Sequence, residues 1–426
     1  MTNCLFIGVD VALKGNQFCV MNFDQHVYFN LKFPNNPEGN DMVINKIKDI
    51  EDKFYFEKII IVMESTGMYS FHPSCYLSSN EYLNRFHTEV YQINACDFDK
   101  YKKSFHDLNK DDYTDAYVLA DFARVGRTKE LYPFRGSQYI ALQRLTRQRY
   151  HISKELIREK SYVLTNLYLS FSGLLSLSKS ELPFSDMFGA TASAFLEEYL
   201  SPDQIAESSI EDLMNFISVK GKNHTKNPED KASTLQKAVS SSYRLEQTAY
   251  ESINIAIASS LNTIRFHQNQ LKDIDKAILR TVNGLDTNTY NILLSIRGIG
   301  KVYAAGIMAE IGNIERFQHN SKLAKYSGLY WKRNQSGEYD SEDKKSSKKS
   351  NKYLRYYLIE ATNSCVMQGF PFIKDFYKSK YDEVTKHQHK RALVLSARKL
   401  ERLIFGLLRK NQYYKPLNSV SISKNV

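Results

Sequence analysis

The sequence predicts an α/β domain at the N-terminus followed by a helical remainder. Three observations predict it. Apolar runs of strand length alternate with short turns over residues 5 to 93, apolar residues recur at steps of three, four and seven from about Ile140, and glycines then punctuate a last set of helical segments.

Leu5 to Ala12 is a buried strand, the Lys14-Gly15-Asn16 turn follows, and Phe18 to Phe23 and His26 to Phe33 complete a meander closed by Pro34. A helix is expected from about Pro37 to Ile50, then a strand over Lys58 to Glu64, a Tyr- and Ser-rich helix after Gly67, a strand from Thr88 to Ile93, and a helix around Asp112. The order βββαβαβα is that of the ribonuclease H-like fold, in which the first strand, the fourth strand and the last helix bring their acids to one edge of the sheet. Asp10, Glu64, Asp112 and Asp115 fall on those three elements.

Asp10 and Glu64 stand inside or at the end of apolar runs, where an ionised carboxylate is costly unless a cation offsets its desolvation. Asp112 and Asp115, three apart, share one helical face. Four oxygen donors of this kind suit Mg²⁺ or Mn²⁺ and not zinc. Two plainer readings compete. A sugar-kinase or actin-like ATPase also opens on a strand with an Asp, but its glycine-rich phosphate loops have no counterpart here; alternatively the acids are strand-end and helix-start residues facing water.

From Ile140 the heptad-like residues Leu145, Ile152, Leu156, Val163 and Leu167 are matched by Ile257, Leu261, Ile264, Leu271, Ile274 and Ile278. Two long antiparallel helices forming a coiled-coil stalk are expected over 131–285. The connector from about Ser172 to Ser233, with Pro183, Pro202 and Pro228, reads as either a small helical insertion or a partly mobile segment. Arg144, Arg147, His151, Lys154 and Arg158 line one stripe of the first stalk helix. Such a stripe is either a solvated face or a contact for phosphate backbones.

The last region, 286–415, opens on Gly298 and Gly300 around a tight turn, a hairpin able to present backbone N–H groups and Lys301 to phosphate. Helices over Gly306 to Ile311, Ser321 to Tyr326 and Tyr353 to Met367 enclose an irregular basic segment from Lys332 to Lys352. Within and beside it Lys332, Arg333, Lys348, Lys349 and Arg355 are further candidates for nucleic-acid contact. A final helix is expected from about Lys390 to Leu408, and disorder after Pro416.

A net charge of +11 over 426 residues fits a polyanionic partner without naming one. The 29 tyrosines would serve base stacking, or reflect an A·T-rich genome. Five scattered cysteines form no finger or disulfide pattern, and no apolar stretch has membrane-spanning length, so a cytoplasmic protein is expected.

With both ends read, the chain resembles the DEDD transposases of the insertion sequence 110 family, relatives of the Piv-type DNA invertases. Asp10, Glu64 and the Asp112-Tyr-Thr-Asp115-Ala stretch match its acid tetrad. The Gly298-Ile-Gly300 turn, Ala324 to Leu329, Gln335-Ser336-Gly337 and Asn351 to Arg355 follow its C-terminal order. The resemblance implies a recombinase with a Mg²⁺-binding RuvC-like domain and a transposase domain in which Ser336 attacks DNA. It further implies a structured guide RNA encoded by the element, and a homo-oligomer, a dimer of dimers, assembled on donor and target DNA. Arg297, Glu338 and Ser347 to Ser350 depart from the family pattern. The rival reading is a metal-dependent Holliday-junction resolvase or endonuclease in which water attacks the phosphate; a non-catalytic nucleic-acid-binding protein is a second.

Overall fold

The computed structural model describes residues 3–65, 67–105, 109, 111–131, 133–134, 138–178, 181–184, 186–222, 227–285, 287–331, 335–336, 339–340 and 350–416. The chain divides into two compact units. One holds residues 1–141 with 311–325 and 408–410, and the other holds 142–310, 326–407 and 411–426.

In the first unit β1 (Cys4–Val11), β2 (Gly15–Met21), β3 (Val27–Pro34), β4 (Lys58–Glu64) and β5 (Glu89–Ile93) form one sheet in the order β3-β2-β1-β4-β5. β1, β2 and β3 are antiparallel neighbours, whereas β4 lies parallel to β1 and β5 parallel to β4. The meander and the two later strands are as expected from the sequence, and this sheet with its helices fits the ribonuclease H-like fold.

α1 (Pro37–Glu51) begins where Asn36 accepts from the Gly39 amide and Pro37 supplies a pre-set first turn. Its Val43, Ile44 and Ile47 share an apolar core with Leu5, Ile7 and Val9 of β1 and Ile59, Ile61 and Met63 of β4. α2 (Phe71–Ser79), α3 (Glu81–Asn84) and α4 (Ala95–Lys102) follow. α4, unforeseen, is started by Asn94, whose side chain accepts from the Cys96 amide. α5 (Asp112–Arg124) packs a second core on the other sheet face, placing Ala116, Leu119 and Ala120 against Phe6, Cys19, Met21 and Val62.

The second unit contains the two long helices, α6 (Gln138–Ser170), most of which lies in it, and α12 (Gln247–Asn283). Val163 and Leu167 share a core with Ile257, Leu261 and Ile264, while Arg149 pairs with Asp275 at 2.6 Å, so the end of each helix meets the beginning of the other. The connector is a helical insertion, as one of the two sequence readings had it: α7 (Ser172–Ser176), α8 (Ala190–Glu198), α9 (Pro202–Glu207), α10 (Ile210–Lys220) and α11 (Pro228–Ser240). Each short helix hides only a few side chains, such as Phe195, Ile205, Leu213 and Leu235, which is why the segment reads as polar.

α13 (Thr287–Leu294), α14 (Lys301–Ile311), α15 (Asn320–Ser327), α16 (Lys352–Met367), α17 (Pro371–Asp382) and α18 (Gln388–Lys410) complete the chain. α14 starts directly after Gly300, a full turn before the expected Gly306, and α17, opened by Pro371 at its first position, was unforeseen. Between α15 and α16 a strand pair, β6 (Gln335–Ser336) and β7 (Tyr339–Asp340), interrupts the segment read as irregular. The tail from 417 onward lies outside the described residues. No helix among the described residues is long and apolar enough to cross a membrane.

Candidate carboxylate site and nucleic-acid contacts

Val9 of β1 faces Met63 of β4 in the parallel register, so Asp10 and Glu64, each one residue further, stand at the same end of these two inner strands. The two helical acids arrive by a close approach. A Cβ on Gly8 would lie 2.0 Å from the Ala116 carbonyl oxygen and 2.3 Å from the Ala120 nitrogen, so only glycine lets α5 rest directly on β1. Asp111 caps the helix by accepting from the Thr114 amide at 2.7 Å, which fixes Asp112 and Asp115 in the first turn, where the helix dipole favours anions.

Electrostatics ties the four acids together. Burial pushes the Asp10 carboxyl up to about 6, helped by the charges of Asp112, Asp115 and Glu64 and opposed by Lys32. Two lysines neutralise the helical pair: Lys32 of β3 donates to Asp112 at 2.7 Å, and Lys102 of α4 pairs with Asp115. The sequence reading missed both. Lys32 faces Gln17, which faces Asp10, so a cross-strand register would have found it; Lys102 carries no local signal.

Among the described residues no three acid, histidine or cysteine side chains stand close enough to hold a metal ion together. Asp112 and Asp115 are turned to lysines instead of converging on Asp10. The donor set nevertheless fits a hard divalent cation. All four groups are carboxylates, and one of them carries a raised pKa that a nearby positive charge would bring down.

The stripe on α6 divides. Arg144, His151, Lys154 and Arg158 are exposed, although Arg158 pairs with Glu155 and Lys154 lies over the rings of Tyr150 and Tyr356 at 5.5 and 5.6 Å. Arg147 turns inward onto Glu310, a buried acid of α14, donating from Nε at 2.8 Å and from Nη2 at 3.0 Å. In the glycine turn, Gly298 has φ of +99° and a Cβ there would strike Cys365 of α16 at 2.5 Å, so its glycine serves packing. Gly300 faces open space and Lys301 is exposed, which leaves this side of the turn accessible.

Ser336 pairs through its backbone with Tyr339 in the β6–β7 hairpin; its side chain lies outside the described residues, as do Lys332, Arg333, Lys348 and Lys349. Arg355, half-buried in the first turn of α16, donates to the Gly328 carbonyl.

Two family models match the chain. The DEDD transposase model of IS110 type, described as a transposase, matches residues 7–171, which include α5 and all of the sheet but the start of β1. The model of the transposase IS116/IS110/IS902 family matches residues 290–378, which include the glycine turn, Ser336 and α16. No curated protein matches it. The acid-bearing sheet edge and the serine-bearing segment thus each fall within a match to the same family, and the chain belongs to the IS110 family of DNA transposases.

Proposed function

We propose that the protein is an RNA-guided recombinase of an insertion sequence, which cuts and rejoins DNA through a phosphoserine on Ser336. The observation that supports the reading is that the carboxyl of Asp10, near the end of β1, is pushed up by burial and then by the charges of Asp112, Asp115 and Glu64, so the four acids act on one another. Asp10, Glu64, Asp112 and Asp115 would hold Mg²⁺ or Mn²⁺. Bound there, the cation supplies charge for the scissile phosphate and lowers the barrier to attack.

In the reaction Ser336 Oγ loses its proton and forms a bond to phosphorus as the P–O bond to the departing sugar breaks, and the sugar oxygen takes up a proton. A hydroxyl of the other strand then attacks the phosphoserine, forming the new phosphodiester and returning the serine. The bond energy is conserved, so no ATP is consumed. Arg144, Lys154 and Arg158 of α6, Gly300 and Lys301 of the turn, and the basic segment from Lys332 to Lys349 with Arg355 are proposed to contact phosphates. Arg147 and Gly298, committed to Glu310 and Cys365, would act from behind them.

By its family resemblance the reading extends to a structured RNA that selects donor and target and to a homo-oligomer, a dimer of dimers; the coiled-coil stalk is proposed from the apolar spacing of α6 and α12. Replacing each of the four acids singly by Ala should abolish strand transfer on DNA carrying both element ends and leave nucleic-acid binding in place. Full transfer by the Asp112→Ala protein would overturn the metal role.

A further inference from the structure

We propose that Glu310 is a positioning residue for Ser336, anchoring through Asn351 the junction where the two ends of the serine-bearing segment meet. The inference rests on the reading of Ser336 as nucleophile. Glu310 is 1% exposed and accepts from Arg147 Nε and Nη2, from Gln143 Nε2 at 3.3 Å and from Asn351 Nδ2 at 2.7 Å. Burial alone would lower the pKa of Arg147, and the Glu310 carboxylate outweighs it. The guanidinium also lies over the Tyr353 ring, 4.6 Å from its centre.

Asn351 stands at the far end of the segment and uses its whole side chain. Oδ1 accepts from the Tyr353 and Leu354 amides at 3.0 Å each and caps α16, while Nδ2 donates to Glu310 and, at 2.9 Å, to the Tyr326 hydroxyl. Its backbone N–H donates to the Tyr326 carbonyl at 2.7 Å. One turn later Arg355 donates to Gly328, and Ser350 packs so tightly on Gly328 that a Cβ there would lie 2.4 Å from its hydroxyl oxygen. The chain entering the segment at 326–328 and the chain leaving it at 350–355 are therefore hydrogen-bonded to each other, and Asn351 ties that junction to Glu310.

Simple cohesion does not require this arrangement. A buried ion pair contributes little net stability over apolar residues of similar size, and in some proteins it serves to specify one geometry. A nucleophile has that requirement, since a displacement of about 1 Å costs about 100-fold in rate.

The test is a charge swap. Asn351→Asp keeps the helix cap but sets a second carboxylate on Glu310 and removes the donor to Tyr326. At saturating DNA, formation of the Ser336–DNA adduct should fall by about 100-fold with DNA affinity unchanged. Adding Glu310→Gln, whose amide can donate to the new carboxylate, should restore most of the rate. Amide hydrogen exchange, which needs no chemistry, should quicken at residues 326–328 and 350–355 in the single variant, remain slow in β1 and β4, and slow again in the double.

An adduct rate unaffected by Asn351→Asp while those amides exchange faster would overturn the positioning role. Equal loss of adduct in the single and double variants would overturn it too. If the wild-type protein cuts DNA without any adduct at Ser336, the nucleophile reading fails first and the positioning proposal falls with it.

Discussion

Gly8 and Ala116 meet across the strand and helix that carry the acids: a Cβ at Gly8 would sit 2.0 Å from the Ala116 carbonyl oxygen. The carboxylate site therefore depends on an absent side chain. Gly8→Ala must push α5 off β1, and overpacking of this kind costs about 1–3 kcal/mol. The variant should unfold at lower denaturant and lose strand transfer, because Asp112 and Asp115 move with the helix. Unchanged stability and activity would show that α5 is not seated as described.

Asp10 predicts a pH dependence whose sign can be worked out. Its carboxyl titrates at about 6 in the folded protein, pushed up by burial and by Asp112, Asp115 and Glu64, against an ordinary value of 3.8. Between those values the folded chain holds a proton that the unfolded chain has released, so stability falls as pH rises through the window and stays lower above it. Without divalent cation, Asp10→Asn should melt above the wild type at pH about 8 and approach it at pH about 4. Mg²⁺ should raise the melting temperature of the wild type at the higher pH and have little effect on the variant. Coincident melting curves at the higher pH without cation would contradict the raised pKa.

Much of the first unit is legible in the sequence because its signals are local. β1 and β4 announce themselves as apolar runs carrying an acid, and α5 by an acid pair three apart. What one residue does to another from a distant element is not legible. Lys32 and Lys102 reach Asp112 and Asp115 across the fold, and Arg147 reads as one member of a stripe because helical spacing gives a face and not a partner. Glu310 is a lone acid in the apolar run Gly306 to Ile311, and its role appears only when α6 and α16 are placed beside it.

The stripe on α6 predicts a salt effect. Replacing Arg144, Lys154 and Arg158 by Gln should weaken binding to DNA of any sequence. For every phosphate that is no longer neutralised, the logarithmic salt dependence should flatten by about 0.9 on duplex DNA. Arg147 is left out of this test, since its loss would strand Glu310 in the interior. An unchanged slope would assign the stripe to solvation.

The acids and Ser336 belong to different units of the chain, which raises the question of whether one protomer supplies both. Mixing Asp112→Ala protein with Ser336→Ala protein, each inactive alone, should restore part of the recombination if the site is shared between protomers. No recovery, with subunit mixing demonstrated, would place serine and acids of one chain at the same phosphate.

The most direct measurement is the mass of the peptide that remains on DNA after the reaction is stopped in denaturant. A DNA-linked peptide containing Ser336 is expected, formed only with divalent cation and absent from the Ser336→Ala and Asp112→Ala proteins. Metal-dependent cleavage that persists in Ser336→Ala, with no peptide on the DNA, would contradict the serine mechanism and make water the nucleophile.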